Sequence, residues 1–259
     1  MFLTLVELVL LALGFFVIAM LYSSVGFGGG SSYLAILALV LVSFYTIRST
    51  ALICNLVVVS GSSYLYYKQG HLDLRKFSPF IVASIPFAFL GARFRLSEHV
   101  FFIILGITLI ISASVLFFQT IRLTEKEART NNYPKYLTYL LGAGIGFLSG
   151  LVGIGGGIFL APILNHIKWD KSIKIAALAS FFILVNSVSG IAGLLSKGTF
   201  ELHWVEALAL IIAVFFGGQF GVRLSLGRLK GKGIRIVTAI LVGFVGIRVL
   251  LVNGLQYHW

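Results

Sequence analysis

The chain is a succession of long apolar blocks separated by short polar intervals. The blocks lie at about 2–24, 31–44, 47–67, 77–92 and 99–119, then at about 137–152, 157–167, 173–196, 203–222 and 234–252. A helix of about 20 apolar residues crosses a hydrocarbon core about 30 Å thick. Most blocks approach that length. The second of each set, 31–44 and 157–167, is shorter and predicts a half-length or re-entrant helix. The pattern predicts an all-α, polytopic membrane protein with five helical segments in each half.

The two sets are copies of one unit. Gly26-Phe-Gly-Gly-Gly30 returns as Gly153-Ile-Gly-Gly-Gly157, and Val59-Ser60-Gly61 as Val188-Ser189-Gly190. Lys68-Gln-Gly70 returns as Lys197-Gly198, and Leu90-Gly-Ala-Arg93 as Phe220-Gly-Val-Arg223. The order is kept at a nearly constant offset, from 26 to 153 at one extreme and 93 to 223 at the other. Repeats of this kind decide the architecture and are read first. They divide the chain into a first transmembrane repeat (1–119), a polar linker (120–136) and a second transmembrane repeat (137–259).

Composition supports a membrane protein. The residues are 59% hydrophobic and only 11% charged, and the mean hydropathy is +1.03. Soluble domains carry roughly 25% charged residues. The first block lacks the basic start of a signal peptide, since no Lys or Arg precedes Arg48. It reads as a retained helix. The net charge of +12 fits a positive-inside bias and contact with anionic headgroups, not nucleic-acid binding.

That charge also tests topology. If each glycine-rich stretch only kinks a continuous span, the 20 Lys and Arg divide 11 to 9 between the two sides. If the chain turns back there, one side keeps only Arg48, Arg93, Arg95, Lys197 and Arg248, and the other receives the remaining 15. The second division matches the positive-inside rule. It predicts inverted repeats whose first two segments form hairpins, a cytoplasmic linker and periplasmic termini.

The glycine stretches are where chemistry is expected. Consecutive glycines unwind a helix, and non-helical backbone at membrane depth survives only when buried in protein or lining a wet cavity. The helix that restarts after a break presents unpaired N–H groups with partial positive charge, which an anion satisfies. Two such N-termini meeting near the midplane form a recurring transporter site. The candidate residues are Gly28, Gly29 and Gly30 with Ser23, Ser24, Ser31 and Ser32, and Gly155, Gly156 and Gly157. The serine hydroxyls are candidates to cap the new helix or to donate to an oxyanion. Gly142, Gly146, Gly150 and Gly153, spaced by four, four and three, read instead as a helix-packing face.

Polar residues inside spans add Asn55, Ser60, Asn186 and Ser189 to the candidates. Interhelical hydrogen bonding is the other reading of these four. Arg93 and Arg223 end equivalent spans, as anion attractors or as snorkelling anchors. Glu7 and Glu206 are the only acids placed within spans, so no central carboxylate pair is expected. His71, His99, His166, His203 and His258 lack metal-ligand spacing. Cys54, the single cysteine, excludes an internal disulfide. No cofactor or metal site is indicated, and no catalytic set emerges.

At these motifs the chain resembles the TauE/SafE sulfite exporter family, also called TSUP permeases. Phe147-Leu-Ser-Gly-Leu-Val-Gly-Ile-Gly-Gly-Gly157 is the nearest stretch, and the first half departs with Tyr22-Ser-Ser-Val-Gly-Phe-Gly-Gly-Gly30. The resemblance covers nearly the whole chain. It implies a permease for small sulfur-containing anions, such as sulfite, thiosulfate or organosulfonates, in the bacterial inner membrane. The expected function is secondary transport of such an anion by alternating access. An anion channel and a membrane-embedded enzyme or assembly subunit are the alternatives. The expected partners are the small anion and the lipid bilayer.

Overall fold

The computed structural model describes residues 4–40, 43–94, 96–122, 133–226 and 231–255. Arg95, Arg228, Lys230, His258 and linker positions 123–132 lie outside the described residues. Among the described residues ten α-helices follow one another: α1 (Leu5–Ser23), α2 (Gly30–Val40), α3 (Phe44–Lys68), α4 (Leu74–Arg93), α5 (Glu98–Arg122), α6 (Lys135–Val152), α7 (Gly157–His166), α8 (Ser172–Ser196), α9 (Trp204–Leu226) and α10 (Gly231–Arg248). A π-helical turn, Val249–Gly254, continues α10. Eight helices are long and apolar enough to cross a membrane, while α7 has only 10 residues and α2 only 11. Glu7, expected within a span, sits in the first turn of α1. There it forms a reciprocal capping box with Thr4, and its Oε2 accepts from Thr4 N at 2.9 Å.

Helices α3 and α8 form the centre. Of their spanning windows 61% and 67% are buried, against 28–44% for the other spans. The remaining helices interlock between the halves. Gly142, Gly146 and Gly150 of α6 press on Phe80, Ser84 and Ala88 of α4. Gly217 and Gly221 of α9 press on Phe16 and Met20 of α1. Both pairs therefore run parallel, each joining one half to the other. Small residues let backbones approach closely where lipid supplies no hydrophobic drive between helices. Gly153 does not belong to this packing face. It ends α6 with φ 79°, the left-handed cap that stops a helix.

The corresponding helices α5 and α10 run antiparallel. Gly246 meets Leu109 and Ile110, Gly106 meets Leu250, and Gly254 meets Ile103. Side-chain bonds mark the two ends of the bundle. At one end Lys76 Nζ lies 2.6 Å from Asp170 Oδ2, and Tyr133 Oη donates to Ile167 O at 2.8 Å. At the other, Glu201 Oε2 accepts from Ser43 Oγ at 2.8 Å and from Thr46 Oγ1 at 3.2 Å.

Candidate functional site

Two non-helical stretches, residues 24–29 and 153–156, interrupt the bundle, and both are buried. Each holds glycines in the left-handed region: Gly26 and Gly29 in the first, Gly153, Gly155 and Gly156 in the second. Gly29 (φ 89°) and Gly156 (φ 80°) stand immediately before α2 and α7. A side chain there is strained by the backbone and blocked in space. Tyr33 and Ile18 cover Gly29, while Phe182, Ser149 and Ile145 cover Gly156.

The chain turns back at each stretch. α1 reaches a level where Ser23 Oγ donates to Gly218 O in α9 at 2.9 Å. Ser180 of α8 then donates to Gly26 O at 3.1 Å. α2 restarts at Gly30, whose N–H donates to Asn55 Oδ1 at 3.0 Å. Asn55 is the twelfth residue of the 25 in α3, so α2 begins at mid-helix depth. Gly155 and Gly157 lie against Ile183, which is the twelfth residue of the 25 in α8. α7 also begins at mid-depth.

The two breaks meet at Asn55. Its Nδ2 donates to Ile154 O at 3.0 Å while its Oδ1 holds Gly30 N. A methyl group on Gly28 or Gly30 would overlap this amide, and one on Gly155 would crowd it at 3.2 Å. In the second half Ile183 covers Gly155 and Gly157 as Asn55 covers Gly28 and Gly30. Ile183 has no hydrogen-bonding group. α7 accordingly starts with no side-chain cap, and the N–H groups of its first turn keep their partial positive charge.

Arg48 completes the second break, and sequence reasoning counted it only as one of five cations on the less basic side of the membrane. It is 4% exposed. Its Nη2 donates to Gly150 O at 3.0 Å and to Leu151 O at 3.2 Å, satisfying the carbonyl end of α6. The negative end of one helix is thereby neutralised beside the uncapped positive end of the next. Ser149 Oγ and Asn186 Oδ1 are buried in this region without a hydrogen-bond partner. Ser149 touches the position a Gly156 side chain would take. Asn186 follows Ile183 by three residues and precedes Gly190 by four, on one face of α8. Its Nδ2 donates to Phe182 O at 2.8 Å.

The serines of the first break make hydrogen bonds within the protein. Ser24 donates to Leu21 O within its own turn. Ser32 Oγ and Tyr22 Oη share a 2.6 Å hydrogen bond. Ser31 is buried in the first turn of α2. None of these replaces Asn55 as the cap of Gly30. Ser60 does not reach either break: it is exposed and donates to Leu56 O in its own helix at 2.6 Å. Ser189 ties α8 to α4 through Ile85 O at 2.6 Å. Among the described residues, no group of three His, Cys, Asp or Glu could hold a metal ion.

The profile of the family described as "Sulfite exporter TauE/SafE" matches residues 10–249. The chain belongs to the TauE/SafE family. A probable membrane transporter protein of Sinorhizobium fredii is 32% identical over 257 residues, covering 98% of this chain and 99% of the relative. A second such protein, from Bacillus subtilis, is 23% identical over 218 residues, covering 78% and 79% of the two chains. One from Methanocaldococcus jannaschii is 30% identical over 119 residues, covering 43% and 44%. No solved structure matches significantly. Membership in the TauE/SafE family, the transporter relatives and the eight apolar spans give the chain a role in membrane transport.

Proposed function

We propose that this TauE/SafE protein is a secondary transporter of a small sulfur-containing anion, such as sulfite, thiosulfate or an organosulfonate, across the bacterial inner membrane. The observation that carries the anion is the asymmetry at mid-depth: α2 is capped by Asn55, while α7 is uncapped. Substrate oxygens would take the α7 N–H groups, Ser149 Oγ and Asn186. A helix N-terminus contributes about 0.3–1 kcal/mol to an exposed anion and up to about 2 when partly buried. The family description supports the sulfur.

The way the site is closed supports alternating access. Ile183 and Phe182 lie against Gly155, Gly156 and Gly157, so admitting an anion requires α8 to separate from α7. The antiparallel contact of α5 with α10, and the parallel pairs α4–α6 and α1–α9, support a pseudo-twofold relation between inverted halves. In this arrangement the Lys76–Asp170 end, with the linker, faces the cytoplasm, and the termini face the periplasm.

Flux into proteoliposomes tests the reading. Saturable uptake of sulfite or thiosulfate with counterflow supports a carrier. Uptake that rises linearly with concentration and shows no counterflow defeats alternating access. Failure of sulfite, thiosulfate and sulfonates all to bind or move defeats the substrate class.

A further inference from the structure

At the end of the bundle opposite Lys76, a shallow cleft with about 20 Å³ of water-sized space opens between α3, the end of α4 and the α8–α9 loop. Among the described residues, the cations Arg48, Arg93 and Lys197 line it. Tyr45 and Thr199 line it as well, and among the described residues no carboxylate does. The nearby Glu201 carboxylate is held by Ser43 and Thr46. Arg93 and Lys197 are exposed, whereas Arg48 is 4% exposed. These residues come from three separate parts of the chain, and only the fold assembles them.

Arg48 belongs to two places at once. It lines the cleft, and it donates to Gly150 O and Leu151 O at the second break. The position a Gly153 side chain would take lies 3.6 Å from Arg48 Nε. One buried guanidinium therefore joins the cleft to the second break, at the carbonyl end of α6.

We propose that this cleft is a second oxyanion site, a vestibule in series with the mid-depth site. Concentrated positive charge in a concave, low-dielectric wall raises the local anion concentration and speeds capture. Arg93 and Lys197 attract the anion, and Arg48 relays it toward the α7 N-terminus. The ligand class rests on the anion reading above. The chemistry recognised is a small oxyanion, whether a free sulfur oxyanion or the phosphate of a lipid headgroup, and the vestibule role commits to the free ion.

The test uses the R93Q/K197Q double variant, which spares the buried Arg48. Thiosulfate is titrated into wild type and variant in phosphatidylcholine nanodiscs, and flux is measured at low and moderate salt. The expected result is loss of one of two binding events in the variant. KM rises about tenfold, the maximal rate stays within about twofold, and the salt dependence of KM flattens. Identical titrations and KM values in wild type and variant overturn the vestibule while leaving transport itself standing. Absence of wild-type flux would instead overturn the transport reading. If the double variant loses only binding of phosphatidylglycerol, with thiosulfate unaffected, the cleft is a lipid-headgroup site and the vestibule role fails.

Discussion

Asn55 and Ile183 occupy the same position in α3 and α8 and cover corresponding glycines, yet only Asn55 caps the helix that starts beside it. The two breaks are thus chemically unequal at the centre of the bundle. One break is tied shut by an amide and the other ends in an apolar side chain.

Replacing Asn55 by leucine leaves Gly30 N–H and Ile154 C=O buried and unpaired. Each such group costs about 1–3 kcal/mol, so a large fall in thermal stability is expected, together with loss of flux. Size-exclusion melting curves of detergent-solubilised protein check this. An N55L protein that melts like wild type would remove Asn55 as the tie between the breaks.

The reverse change, Ile183→Asn, supplies α7 with the cap that α2 already has. The new amide competes with substrate for the α7 N–H groups. Anion affinity is expected to fall about tenfold or more with little loss of thermal stability, as read by thiosulfate titration. Unchanged affinity in a folded I183N protein would move the anion away from α7.

The glycines divide by what surrounds them. Gly29→Ala and Gly156→Ala meet both a left-handed backbone and close neighbours, and are expected to abolish flux. Gly142→Ala also destabilises, because Phe80 O lies in the way. Gly144 has nothing within 4 Å, so Gly144→Ala serves as the neutral control and raises helix propensity slightly. Flux assays normalised to inserted protein rank the four.

Asp170 gives a pH signature. Burial pushes its carboxyl upward. The hydrogen bonds from Lys76 and from Lys171 N–H, with the charges of Lys76 and Lys174, outweigh this and hold it below the usual carboxylate value. A carboxyl lowered in the folded state stabilises fully above its unfolded pKa near 3.8. That contribution disappears as pH falls through the lower folded value. Asp170→Asn should therefore melt lower than wild type at pH 7, by a few degrees for a pair contributing about 1 kcal/mol. The gap should close toward pH 3. A gap independent of pH would show that Asp170 acts by shape alone.

Arg48→Lys keeps the charge but loses the planar fork that reaches two carbonyls. Hydrogen bonds from charged groups contribute about 1.5–3 kcal/mol each. The lysine variant is expected to lose stability and flux together. Arg48→Met should lose more, measured by the same melting and flux assays.

The amino-acid sequence by itself determined the all-helical membrane architecture and the location of both breaks. Those properties are local: block length decides which helices span, and consecutive glycines stop a helix whatever surrounds them. The family likeness was legible for the same reason, since the glycine motifs carry it. Tertiary structure decided which polar residues reach the breaks. Ser60 and Asn55 lie five residues apart in α3, but one is exposed and the other joins both breaks. Arg48 entered the sequence reading only as one of the cations in the charge count, and the end of α6 packed against it only in the fold. Side-chain chemistry announces what a residue can bond. Only the packing of a distant helix decides whether water, lipid, a carbonyl or a substrate is there to be bonded.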